Sequence, residues 1–205
     1  MPPSFYRAIT KANAKHFRSM FKTDPSSQTM ERLPFRATAM GSTYGVLERL
    51  PVAVLLDNVR SMYNVGSFFR SMDAAGAGPL CLAGITARPP HLGIRKTALG
   101  AEETVAWNYS AEPLTLVEQM RAGGHQIAAI ETSPHSVDLY DWRPVFPVCV
   151  IFGHEVDGIQ AELASACDIH VRIPMLGRKH SLNVATAGGV VLFELLRKYR
   201  ELHVG

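Results

Sequence analysis

The chain has 205 residues, 47% of them apolar and 19% charged, and a formal charge of +3. That composition suits a globular protein with a full core and excludes a disordered or disulfide-stapled chain. The small net charge does not announce nucleic acid, but it is unevenly spread: residues 1–50 hold eight Lys/Arg against three Asp/Glu, and residues 51–205 hold thirteen against fifteen.

Residues 1–50 read as a basic N-terminal extension. Phe5, Ile9, Ala12, His16 and Met20 fall at helical spacing, with Arg7, Lys11, Lys15, Arg18 and Lys22 around them, which predicts an amphipathic helix. Such a helix suits contact with phosphates or an acidic surface, and equally a solvated extension. Residues 23–29, "TDPSSQT", form a linker, and a short helix is expected near 42–49. The first residues lack the apolar block of a secretory signal, though a basic start without acids before Asp24 also suits an organelle transit peptide, and no run approaches the ~18 apolar residues of a membrane span. Cys81, Cys149 and Cys167 follow no metal-binding spacing, so buried free thiols in a reducing compartment are expected, with the cytoplasm as location and no metal.

From residue 51 the pattern becomes regular. "VAVLLDN" (52–58) predicts a buried parallel strand, and "NVGSFFRSMDAAG" (64–76) a helix closed by Gly76. Strands follow at 79–85, 104–109, 125–132, 147–153 and 168–174, with a helix at 114–124 and a closing helix over 181–202. Strands alternating with helices predict an α/β fold, a mostly parallel six-stranded sheet covered on both faces. Ligands in such sheets bind outside the carboxyl ends of the strands, which singles out Asp57-Asn58, Thr132-Ser133, Gly153-His154-Glu155 and Pro174-Met175-Leu176.

The common motifs of parallel α/β enzymes are missing. There is no GxxxxGK[ST] phosphate loop, no GxGxxG after the first strand, no GxSxG elbow, and "HEVDG" is not HExxH. What remains are three polar loops. In the first, Asn64 suits either a helix N-cap or a functional role, and Arg70 stands among Phe68, Phe69 and Met72. In the second, Gly153 permits a sharp turn or close approach, and Glu155 follows at the sheet's mouth, where a helix N-terminus would also favour it; His154 suits a structural role. In the third, "IPMLGRKHSLNVATAGG" (173–189), Ser181 suits an N-cap, whereas Asn183 and the glycine pair have little reason to be there on helix propensity. Small residues at 185–189 suit close packing of another backbone.

Together the three loops resemble the SpoU (TrmH-type) RNA ribose 2′-O-methyltransferases of the SPOUT superfamily. Asn64, Gly66 and Arg70 look like the family's first motif, "VIFGHEVDGI" with Gly153, Glu155 and Gly158 its second, and Ile173-Pro174-Met175 followed by "SLNV" its third; "RKTALGAEE" (95–103) is similar to a further family segment. Val156 stands where the family usually has Gly, and His154 where Asn is common. The resemblance spans about 52–202. It implies a C-terminal trefoil knot, a homodimer with Gly188-Gly189 and the last helix as contact candidates, and transfer of a methyl group from S-adenosyl-L-methionine to a ribose 2′-hydroxyl of tRNA or rRNA. By the same resemblance, Thr132, Gly153, Ile173, Met175 and Leu182 hold the cofactor. Arg70 clamps an RNA phosphate and stabilises developing charge, Asn64, Ser181 and Asn183 orient the ribose and Arg70, and Glu155 holds Arg70 or a backbone turn. Arg178, Lys179, Lys11, Lys15 and Arg18 offer positive charge to RNA. The alternative is an RNA-binding protein that keeps the knot without catalysis.

Overall fold

A computed structural model of the protein describes residues 49–203. The predicted N-terminal helix, with Lys11, Lys15 and Arg18, and the short helix near 42–49, but for Arg49, lie outside the described residues.

Among the described residues the sheet has seven strands in the order β3-β2-β1-β6-β4-β7-β5, all pairs parallel. They are β1 (Val52–Asp57), β2 (Leu80–Ala83), β3 (Trp107–Ser110), β4 (Gln126–Ile130), β5 (Val137–Asp138), β6 (Val148–Phe152) and β7 (Ile169–Arg172). The six expected strands are present, and the count is corrected to seven by β5. That two-residue strand was too short to show a period; register pairs Val137 with Val171 and Asp138 with Arg172, whose side chains also form an ion pair. The third strand starts later than expected because Ala101–Thr104 is a helical turn.

The central strands β1 and β6 are buried at every position, as runs of Val, Leu, Ile and Phe covered on both faces should be. One face packs under α1 (Met62–Ala75), α2 (Leu92–Ala98), α3 (Ala101–Thr104) and α6 (Val184–His203); the other lies under α4 (Pro113–Ala122) and α5 (Ala161–Ser165). Alternation along each strand divides the side chains: Val52, Val54 and Leu56 enter the first layer, Ala53 and Leu55 the second. Cys81 and Cys149 are buried free thiols and Cys167 is half-buried; burial pushes Cys81 and Cys167 up to about 12.

Helix α1 buries Val65, Phe68, Phe69, Met72 and Ala75, one stripe at helical spacing. Ser61 is its N-cap, its Oγ accepting from the Asn64 N–H, and Gly76 closes it at φ 68°. Asn64 is therefore not the cap, and its amide is free for other partners. Two helices come unusually close to α1. A Cβ at Gly66 would lie 2.3 Å from the Ile94 carbonyl oxygen of α2, and one at Gly188 of α6 would lie 2.2 Å from the Phe68 ring. The small residues expected to permit tight packing do so at Gly188, whereas a Cβ at Gly189 would meet nothing within 4 Å.

Candidate functional site

All strands being parallel, their carboxyl ends open on one edge, and β6, β4 and β7 are neighbours there. The topology thus brings Thr132, Gly153 and Ile173 to one stretch of edge, each just beyond its strand.

Glu155 links two of the loops. Its Oε2 accepts from the Arg60 backbone N–H at 3.1 Å; its Oε1 accepts from the Ser61 N–H at 3.1 Å and from Asn64 Nδ2 at 3.0 Å. Asn64 Oδ1 in turn accepts from Asn183 Nδ2 at 3.1 Å, and Asn183 Oδ1 accepts from the N–H groups of Ala185 and Thr186. One continuous chain of hydrogen bonds thus ties the loop after β6, the start of α1 and the start of α6. Asn183, rather than Ser181, caps α6. Partial burial alone would raise the Glu155 carboxyl, but donors from the backbone and from Asn64 outweigh it and hold the group below its ordinary value.

Asp57, fully buried at the end of β1, steadies the same loops by accepting from Asn58 Nδ2 at 2.7 Å and from the Gln160 N–H at 3.3 Å. Burial raises its pKa despite those bonds. Within the β6 loop, His154 and Gly158 exchange backbone hydrogen bonds, and a Cβ at Gly153 would lie 2.2 Å from the Gly158 carbonyl carbon. Close backbone approach is therefore what demands glycine at 153. His154 Nδ1 lies 3.2 and 3.1 Å from the N–H groups of Val156 and Asp157, an accepting, structural position. Nδ1 is also 3.0 Å from the Asp157 carboxylate, an ion pair requiring a proton there. The two backbone donors favour the acceptor. Val156 is 82% exposed and is not among the residues of positive φ, so this loop does not need the glycine usual at that position.

Of the predicted catalytic set, the structure joins Asn64, Glu155 and Asn183. It does not join Arg70 or Ser181: both are exposed, and neither side chain makes a hydrogen bond or ion pair among the described residues. Ile173 and Met175 are half-buried, Thr132 and Leu182 exposed, and Arg178 and Lys179 exposed in the loop before α6. Arg60, Ser61, His154, Glu155 and Val156 line an open cleft of about 300 Å³. Sequence reasoning missed the backbone donors of Arg60 and Ser61, which carry no side-chain signature, and the role of Asp57. The cap at Ser61 could have been found from a Ser three residues ahead of Asn64 at a helix start.

A parallel sheet whose carboxyl edge gathers three distant loops around a cross-linked Asn–Glu–Asn chain has the architecture of an α/β enzyme with its site at the strand ends. Residues 51–193 match the SpoU rRNA Methylase family, and the chain belongs to it. It is 32% identical over 152 residues to the 23S rRNA (guanosine-2′-O-)-methyltransferase RlmB of Vibrio parahaemolyticus, covering 72% of this chain and 60% of that one. Among solved structures it is similar to an AdoMet-bound rRNA methyltransferase from Sinorhizobium meliloti, with TM-score 0.67, 34% identity and coverage of 71% and 56%. It is also similar to the A. aeolicus TrmH/SpoU tRNA modifying enzyme, with TM-score 0.68, 26% identity and coverage of 75% and 78%. The chain spans about three fifths of the length of the curated relatives it matches.

Proposed function

We propose that the protein transfers a methyl group from S-adenosyl-L-methionine to a ribose 2′-hydroxyl of tRNA or rRNA. The observation that carries this reading is the chain Glu155–Asn64–Asn183, which links three loops at the carboxyl edge of a SpoU-family domain.

The residues at this edge fit the cofactor. Thr132, Gly153 and Ile173 adjoin one another by strand order. Beyond them, Met175 to Leu182 make no hydrogen bond among the described residues, so their N–H and C=O groups are available to an adenine or a carboxylate. Half-buried Ile173 and Met175, with Leu182, offer apolar contact. When bound there, the cofactor supplies an electrophilic methyl group on a sulfonium.

The chain's own residues align and stabilise the attacking oxygen. Asn64, held by Glu155, and Asn183, bonded to Asn64, orient the ribose, with Ser181 two residues before Asn183. Arg70 clamps a phosphate and stabilises charge developing on the oxygen; a guanidinium is a permanent cation and acts as donor rather than base, so the hydroxyl proton leaves to solvent as the methyl group is taken. In this reading Glu155 holds the β1–α1 turn rather than Arg70, because its bonds go to Arg60, Ser61 and Asn64. Arg178, Lys179 and the basic extension each offer positive charge to RNA. The C-terminal segment threads a trefoil knot around the cofactor loop, and two copies pair through α6, where Phe193 is 50% exposed and Gly189 is open; a sedimentation mass of one chain contradicts the pairing.

The test combines calorimetry with S-adenosylmethionine and methyl transfer to in-vitro-transcribed RNA. Arg70→Ala is expected to abolish turnover while cofactor affinity stays within a few-fold. Unchanged turnover removes Arg70 from the mechanism, and a wild type that binds the cofactor and RNA without transfer leaves the non-catalytic alternative.

A further inference from the structure

Tyr63 immediately precedes Asn64, and the residue is 50% exposed. Exposed aromatics are common, but this one is held with unusual care. Its carbonyl oxygen accepts from two hydroxyls, Ser67 Oγ and Thr97 Oγ1, each at 2.9 Å. The second comes from α2, which reaches α1 only because Gly66 has no side chain. At Gly93 a Cβ would lie 2.9 Å from Met62 Cβ, a second close contact between the same elements. This packing sets Lys96 Nζ at 5.8 Å from the centre of the Tyr63 ring, within the range of a cation–π contact.

The surroundings are basic. Arg60, Arg70, Arg95 and Lys96 are all exposed, and the nearby Glu155 carboxylate is engaged by three donors. Tyr63 and Arg70 are seven residues apart on α1, two turns, so they share one stripe about 10 Å apart along the axis. A half-exposed aromatic ring with a cation over one face, and a guanidinium two turns on, has the chemistry of a nucleotide site: the other face stacks a base, and the cations take the flanking phosphates.

We propose that Tyr63 is a base-stacking platform that seats an unpaired nucleotide of the RNA substrate beside Asn64, with Lys96 against the same ring and Arg70 on the adjoining phosphate. The inference rests on the RNA reading above and deepens it. It places substrate selection on the α1–α2 pair, away from the cofactor loop. It also implies a target in a loop or a bulge, since a base within a helix presents no free face.

The test measures affinity of the full chain for in-vitro-transcribed 23S rRNA and tRNA by filter binding, beside the thermal midpoint of each variant. Tyr63→Ala is expected to weaken binding to the substrate RNA about ten-fold, from loss of one stacked base. Tyr63→Phe is expected to restore it and Tyr63→Leu is not, a pattern that a merely structural role would not give. RNA affinity unchanged in Tyr63→Ala, or restored equally by Leu, overturns the proposal, as does a wild type that binds neither RNA. Unchanged RNA affinity with an altered sedimentation mass assigns Tyr63 to a subunit contact instead. Because binding is read without turnover, loss on Tyr63→Ala in a protein that transfers no methyl group upholds the platform while removing the catalytic reading.

Discussion

At the scale of single residues, the site depends on a carboxylate that satisfies donors from another loop. Glu155→Gln replaces one acceptor oxygen with an NH₂ group facing N–H donors, so bonds are lost and donors oppose each other. The variant is expected to lose about 1 kcal/mol of stability at pH 7, read by denaturant unfolding, and most of its methyl-transfer rate. The pH dependence has a defined sign. The folded-state pKa of Glu155 lies below its ordinary value of 4.5, so its contribution is complete above that value and is lost as pH falls through the folded pKa. The gap between wild type and Glu155→Gln should therefore be constant from neutral pH down to about 5 and close below it. A gap that widens in acid would mean that the carboxylate is not held in its charged form. Asn64, Glu155 and Asn183 were legible as candidates because they stood in polar loops at strand ends. What they bond was not legible: the partners of Glu155 include two backbone N–H groups, which no residue type announces.

Elements are positioned by glycines that do different work. Gly188 faces the Phe68 ring with no space for a methyl group, whereas a Cβ at Gly189, one residue on, would meet nothing within 4 Å among the described residues. Gly188→Ala is expected to cost about 1–3 kcal/mol through overpacking against a buried ring. Gly189→Ala is expected to be neutral or to stabilise the isolated protomer by about 0.5–1 kcal/mol, because alanine favours the helix. Thermal unfolding of the two variants side by side checks the contrast. From the sequence, the pair looked like one signal for close packing; only the geometry of α1 against α6 separates them. The same limit explains the strand count. β1 and β6 were readable as unbroken apolar runs, but β5 has two residues, and its pairing with β7 is created by the fold. The two short helices between β2 and β3 were likewise hidden, because their turn depends on the left-handed conformations of Leu99 and Gly100.

For the whole molecule, the order of the strands assembles the candidate site: β6, β4 and β7 sit side by side though the chain visits them with β5 between, and three loops distant in sequence therefore share one edge. That convergence was anticipated through the resemblance of the loops to a family, not through periodicity, which gives strands without their order. Among the described residues no helix is long and apolar enough to cross a membrane. The basic extension belongs to this scale too, since its charge balance differs from that of the rest of the chain. Deleting residues 1–30 is expected to weaken RNA binding and to leave S-adenosylmethionine affinity within a few-fold. Equal RNA affinity would make the extension a solvated tail. The most direct measurement of the central claim is the chemical form of the product. RNA methylated from a radiolabelled donor by the wild-type protein, then hydrolysed in alkali, should carry its label in alkali-stable dinucleotides, because a methylated 2′-oxygen cannot attack the neighbouring phosphate. Label recovered in mononucleotides would place the methyl group on a base, and it would contradict the account.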